Sequence, residues 1–314
     1  MERLQELKAA VFGAHEVRKT WAQKTAFIEW AKGYAREQGV ELTIEESGRA
    51  MRSRNLVFGA PDLASTIVTA HYDTCARLPF PNFLTPQCWP MILLTQVVPW
   101  VLIFGAVGAF CGYTTGRMLR DASLLSALLP SLVYVAVAFG AIALMLFGPA
   151  NPHTANDNTS GVILLLLAME ALRGRDDVAF VLFDNEEKGL VGSQAFAKRH
   201  PRAVSRAFAV NLDCVSDGET LLYTGSKAGM RCAQAEKLLA TLKARAPLHG
   251  RKVASGSFPG TLYPSDQLVF AKGTAFVALK GGRVLYIDRI HTAKDTVFDD
   301  GNLDCLLEVL REGI

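Results

Sequence analysis

The chain has 314 residues, half of them hydrophobic, which is enough for one large α/β core or two ordinary domains. Its 33 Lys and Arg against 30 Asp and Glu leave a net charge of only +3, and without an arginine run interleaved with aromatics nucleic acid is a poor partner. The six cysteines, Cys75, Cys88, Cys111, Cys214, Cys232 and Cys305, are scattered with no C-x-x-C pair, which excludes a zinc ribbon or a disulfide framework and suits buried small hydrophobes.

The chain opens Met1-Glu-Arg-Leu-Gln-Glu-Leu-Lys, too charged for the apolar run of a secretory signal. Export by that route is not expected. Residues 16–38 set Val17, Trp21, Ile28 and Tyr34 among Lys, Arg and Glu at roughly helical spacing, which predicts one long amphipathic surface helix. Asn55 to Phe58 and Ser65 to Ala70 are strand-like runs around the Gly59-Ala-Pro-Asp turn signal. The second strand delivers His71 at its end.

No charged side chain occurs from Leu78 to Gly116, nor from Ala122 to Asn156. Residues 89–111 and 124–147 each meet the roughly 20-residue length needed to cross a hydrocarbon layer about 30 Å thick, and Gly112 to Asp121 reads as a short polar loop between them. Pro99, Pro130 and Gln96 suit a packed membrane pair better than a soluble helix interior. A buried hairpin or an apolar lid over a site is the alternative. The expectation is a two-span membrane hairpin, itself a possible surface for homo-oligomers. Arg117 and Arg120 favour a cytoplasmic loop, but the leaderless N-terminal portion would then have to be translocated. The expected location is therefore the membrane, with the catalytic domain on the cytoplasmic face.

Beyond the hairpin, helices at 159–173, 189–199, 229–244 and 301–312 alternate with apolar strands at 178–183, 207–212, 221–223 and 274–279. That alternation predicts an α/β fold, a mostly parallel mixed sheet with helices on both faces. The organisation expected is a catalytic domain in two parts, residues 1–83 and 151–314, interrupted by the hairpin at 84–150.

The polar residues that carry chemistry fall at strand ends or turns. His71-Tyr-Asp73 leaves a strand; taken alone, H-x-D is an ordinary strand-end turn as readily as a metal site. An imidazole that binds metal usually gives its other N–H to a carboxylate, a role that suits Asp73. Asn156-Asp157-Asn158-Thr159-Ser160-Gly161 could be only an N-cap cluster, yet the two oxygens of Asp157 could also bridge two cations. Glu186-Glu187 follows the most regular apolar strand, and adjacent glutamates can supply one ligand, Glu187, and one unligated base, Glu186. Asp213 and His291 are individually unremarkable. Together the set suits a hydrolase in which two zinc ions roughly 3.5–4 Å apart share a water, since nitrogen and carboxylate oxygen are ligands zinc accepts.

This series resembles the M28 family of metallopeptidases, the zinc aminopeptidase group, whose H-x-D, D-N-x-x-G, E-E, D and late H-T-x-x-D-T pattern is matched by His71-Asp73, Asp157, Glu186-Glu187, Asp213 and His291 to Thr296. The resemblance implies two Zn2+ per chain: His71 and Asp213 on one, Glu187 and His291 on the other, Asp157 on both, with Glu186 as general base. It also implies a cis peptide after Asp157. Two features depart from the pattern: the insertion of about 70 residues, and Ser265-Asp266-Gln267 where many members have Ser-Asp-His. Tyr263 and Asp266 are the weaker, substrate-side candidates, Tyr263 for the oxyanion. The expected activity is removal of N-terminal residues from peptides. A carboxypeptidase, an aminoacylase, a glutaminyl cyclase needing one metal fewer, or a membrane-anchored binding module without catalysis are the competing readings. No G-x-S-x-G or H-E-x-x-H motif supports a serine or H-E-x-x-H zinc hydrolase.

Overall fold

The computed structural model describes residues 2–49, 51–78, 80–121 and 124–314. The chain begins with helices α1 (Glu2–His15) and α2 (Trp21–Gln38). The sequence predicted one helix over 16–38. The break comes from Thr20, whose hydroxyl accepts from the Gln23 amide while the Gln23 side chain accepts from the Thr20 amide, a reciprocal cap that starts a new helix. Gly39, at φ 67°, ends it.

Strands β1 (Leu42–Ser47), β2 (Ser53–Phe58) and β3 (Thr66–His71) precede the insertion. After it come β4 (Val178–Phe183), β5 (Phe208–Leu212), β6 (Thr220–Gly225), β7 (Lys252–Ser257) and β8 (Lys272–Leu279). All join one eight-stranded sheet in the order β1-β2-β4-β3-β5-β8-β6-β7. The run β4-β3-β5-β8 is parallel, while β1-β2, β2-β4 and β6-β8 pair antiparallel. This is the expected mixed α/β sheet. β3, β4 and β5 are buried along their whole length, which is why they read as continuous apolar runs without alternation.

The insertion contains α3 (Trp89–Ile92), a widened π turn at Leu93–Val97, α4 (Val98–Asp121) and α5 (Leu124–Phe147). Pro99 explains the widening, because it has no N–H and its ring would clash with the carbonyl four residues back. The expected loop at 112–121 is instead helical, the end of α4, and residues 122–123 lie outside those described. Gln96 and Thr95 turn inward and donate to the Phe83 carbonyl at 2.6 and 3.0 Å. Most of the hairpin does not turn inward: Leu102 is 65% exposed and Phe139 69%.

The remaining helices are α6 (Gly161–Ala171), α7 (Val191–Arg199), α8 (Pro201–Arg206), α9 (Lys227–Met230), α10 (Ala233–Arg245) and α11 (Asp300–Gly313). α6 is the centre of the fold, with Val162 through Leu166 sealed from solvent. Burial of each such side chain contributes roughly 1.5–3 kcal/mol. Gly161 starts α6 because a Cβ there would lie 2.2 Å from the Leu212 carbonyl oxygen; only glycine permits so close an approach.

Candidate metal centre

The register of the sheet assembles the site. His71 lies opposite Phe183 on β4, and Thr69 opposite Asn211 on β5, so His71, the Glu186-Glu187 pair and Asp213 emerge side by side at the carboxyl ends of three parallel strands. Asp157 arrives from the turn before α6. Asn158 anchors that turn: its amide donates to the Leu212 carbonyl at 2.9 Å, and its oxygen accepts from Gly161 and Cys214. The Asp157-Asn158 peptide is cis, as the resemblance implied. His291 completes the set.

The two carboxylate oxygens of Asp157 face different imidazoles. Oδ1 lies 3.3 Å from His71 Nε2, and Oδ2 lies 3.1 Å from His291 Nε2. His71 Nε2 is also 3.6 Å from Asp213, and His291 Nε2 is 3.3 Å from Glu187. Donor atoms therefore gather in overlapping groups: His71, Asp157 and Asp213; His71, Glu186 and Glu187; and Asp157, Glu187 and His291 with Cys75. Separations of this size suit ligands that converge on a cation of about 2 Å bond length.

Asp73 occupies a different place from the one expected. Its carboxylate is 3.7 Å from His71 Nδ1, beyond hydrogen-bond reach, and the imidazole meets the Asp73 main-chain carbonyl at 3.1 Å instead. The carboxylate accepts from the amides of Glu186 and Glu187 at 2.9 and 3.3 Å. It thus holds the backbone that carries both glutamates. Tyr263 is buried beside Cys214 and Asp213. Asp266 is buried, and among the described residues neither of its oxygens has a hydrogen-bond partner within bonding geometry.

Charge is out of balance here. Burial pushes Glu186 well above the usual carboxylate range, with Glu187, Asp266 and Asp213 adding to it, and pushes Glu187 up to about 8. Asp266 rises to about 7 through burial. Burial also opposes charge on the imidazoles, but the surrounding carboxylates outweigh it, raising His291 to about 9 and His71 well above its ordinary value. Asp157 is held low against burial by hydrogen bonds to His291 and His71. Carboxyls and imidazoles both raised are the mark of a site short of positive charge, and among the described residues Glu187 Oε1, on a side chain 9% exposed, has no hydrogen-bond partner. Dications would satisfy both demands, so the residues present fit zinc.

Several contributors were not assigned from the sequence. Asp295, the aspartate of the late H-T-x-x-D-T run, accepts from the amides of Asn156 and Asp157 at 2.8 and 3.0 Å. Cys75, four residues after His71, brings a buried thiol to the Asp157, Glu187 and His291 group. The fully buried Arg18 donates to the Tyr72 carbonyl and to Thr159, bracing the segments that carry His71 and Asp157. Only Asp295 lay in a motif that could have flagged it. Asn185, Cys214 and His291 have φ of 56°, 54° and 61°, left-handed backbone that costs a non-glycine residue of order 1 kcal/mol and gathers at functional sites.

The hairpin is rooted at this rim. Ala76 bridges Ala150, the Arg77 amide donates to Pro149, and the Leu78 amide donates to the His291 carbonyl at 2.8 Å.

Proteins of known structure share this fold. The zinc-dependent exopeptidase of Parabacteroides distasonis has a similar structure at TM-score 0.62 and 15% identity, over 99% of this chain and 95% of that one. The glutaminyl cyclase of Porphyromonas gingivalis is similar at TM-score 0.61 and 17% identity, over 99% and 96%. A leucine aminopeptidase precursor from Bacteroides thetaiotaomicron is similar at TM-score 0.59 and 16% identity, over 99% and 95%. At such identities the likeness is one of fold. No curated protein matches the chain. The model of peptidase family M28 matches residues 139–311, more than half of the chain and including Asp157, Glu186, Glu187, Asp213 and His291. The chain belongs to peptidase family M28.

Proposed function

We propose that this chain is a two-zinc aminopeptidase held at a membrane by its hairpin. The observation that carries the reading is the pair of Asp157 oxygens turned toward two separate imidazoles. His71 and Asp213 would hold one zinc, Glu187 and His291 the other, and Asp157 both. Bound zinc supplies a Lewis acid for the scissile carbonyl and an acidified water. Glu186, fixed through its amide by Asp73, accepts a proton from the attacking water and returns it to the departing nitrogen. Asp266, buried and without a hydrogen-bond partner among the described residues, gives a substrate ammonium a counter-charge, which favours a free N-terminus over a free carboxylate.

Release of amino acid from dipeptides with free and acetylated N-termini tests this, using zinc-loaded wild type beside Glu186→Gln. Cleavage of the free-amine forms alone, lost in the variant, is expected. Preference for acetylated forms would move the reading to an aminoacylase. The cyclases among the similar structures favour a second reading, in which the amine of an N-terminal glutamine attacks its own side-chain amide and releases ammonia. Ammonia without free amino acid from a glutaminyl peptide would establish that one.

The membrane reading is supported by helices Trp89–Arg120 and Leu128–Phe147, each long and apolar enough to span, with only 6% of the residues in each apolar window buried. A core helix of a soluble protein would be mostly covered. A cytoplasmic catalytic domain follows if its tryptic sites are protected in vesicles sealed with the cytoplasmic face inward; digestion there would reverse the orientation. Cross-linking within the bilayer would reveal any assembly through the hairpin.

A further inference from the structure

Where the body meets the end of α5, its surface is basic and aromatic. Lys19, Lys24, Arg52 and Lys188 line one depression of about 240 Å³ with Trp21 and Phe147. They come from the start of α2, the start of β2 and the turn after β4, so no stretch of sequence shows the cluster.

None of the residues lining the depression is acidic, and among the described residues the ion-pair partners of these four cations are Asp184, buried behind it, and the exposed Glu46. Lys24 pairs with buried Asp184 and with Asn185. Lys19 donates to the Leu146 carbonyl at 3.0 Å, closing the last turn of α5. Among the described residues Lys188 has no acidic partner, and its ammonium lies 5.7 Å from the centre of the Phe147 ring. Arg52 lies 4.4 Å over Trp21, and its acidic contact among the described residues is the exposed pair with Glu46. Four cations around one depression outnumber the carboxylates paired with them, and an anion seated among them offsets their repulsion.

The level of the cleft identifies the anion. Phe147 is the last residue of α5, so a bilayer crossed by the hairpin would put its headgroups there. Basic side chains beside a span end recognise anionic headgroups, and an exposed tryptophan suits the same interface. We propose that this cleft binds the phosphate of an anionic phospholipid, whose acyl chains run along α5 from Phe147. Lys188 directly follows Glu187, so the lipid would grip the turn that carries a metal ligand and hold the mouth of the site at the membrane surface. The proposal rests on the membrane reading above.

The test is titration of the zinc-loaded full chain in detergent with dioctanoyl phosphatidylglycerol, dioctanoyl phosphatidylcholine and inorganic phosphate, followed by calorimetry. Saturable binding of phosphatidylglycerol is expected, with phosphatidylcholine and phosphate each at least about tenfold weaker. The double substitution Lys188→Gln, Arg52→Gln should weaken phosphatidylglycerol roughly thirtyfold, since each basic side chain contributes roughly 1 kcal/mol. Equal binding of the two lipids, or undiminished binding by the double variant, overturns the proposal. Phosphate binding as tightly as phosphatidylglycerol also overturns it, in favour of a soluble anion. If the double variant loses zinc, Arg52→Gln alone is read; a loss of roughly fivefold supports the site and no change refutes it. Carbonate extraction of wild type from membranes separately tests the hairpin: if the protein is extracted, the membrane reading fails whatever the titration gives.

Discussion

Helices α5 and α6 are both strongly apolar and have opposite surroundings. α6 packs against β3, β5, α1 and α11, and its leucines are sealed. α5 packs against α4, with Leu132 64% and Phe139 69% exposed. Apolar composition says that a helix avoids water; it does not say what replaces the water. For α6 the replacement is protein, and for α5 the proposed replacement is lipid.

The largest expected effect concerns the chemistry that α6 supports and α5 does not. Glu186→Gln should lower turnover by roughly 10²–10⁴-fold while zinc content is unchanged. Loss of zinc in that variant would mean that Glu186 is a ligand, whereas His291→Ala should lose zinc by metal analysis.

The contrast itself can be broken by paired truncations. Leu165→Ala in α6 should cost about 2–5 kcal/mol in denaturant unfolding of the zinc-loaded protein. Leu132→Ala in α5 should change it by roughly 0.5 kcal/mol or less. Similar losses at both positions would mean that α5 is a covered element of the body. Phe139→Arg sharpens the same point, because a charge near the middle of a span costs roughly 2.5–3.5 kcal/mol on insertion; the membrane-bound fraction should fall.

A smaller effect follows from protonation of the centre. In the metal-free protein His291 is raised to about 9 and Glu187 to about 8, so near neutral pH both carry protons that zinc must expel. Apparent zinc affinity should therefore increase about tenfold or more per pH unit up to pH ~8 and flatten above ~9, measured by competition with a chelator. A flat profile from pH 6 to 8 would contradict the arrangement.

The smallest concerns His200, which bridges Glu45 and Asp62 at 2.7 Å each. Burial opposes its charge, but the two carboxylates raise its pKa above the ordinary value. Its stabilisation is full below the unfolded value of about 6.5 and fades as pH rises through the folded one. Thermal midpoints of wild type and His200→Ala should differ at pH 6 and converge at high pH.

Much of the candidate site was legible because His, Asp and Glu stand out at the ends of apolar strands and in turns, and those residues keep their identity whatever surrounds them. Asp73 was found but misread, since whether its carboxylate or its carbonyl meets His71 depends on a turn that no pattern specifies. Cys75, Arg18 and the Lys19, Arg52 and Lys188 cluster were missed because only the fold brings them to the site or to α5. In the fold, β3, β4 and β5 announced themselves as buried apolar runs. β7 did not: it is an edge strand of small, polar and half-exposed residues. The helix at Glu2–His15 went unread although Leu4, Leu7 and Val11 recur at helical spacing, because its charged opening was weighed only against a secretory signal.

Zinc stoichiometry of the full chain, with Asp157→Asn beside it, tests the central claim most directly. Two zinc ions per wild-type chain, and weakened binding of both in the variant, are the outcome that a carboxylate shared between two imidazole-bearing groups requires. One zinc in the wild type, or two retained without the Asp157 carboxylate, would contradict a two-metal centre built around that residue.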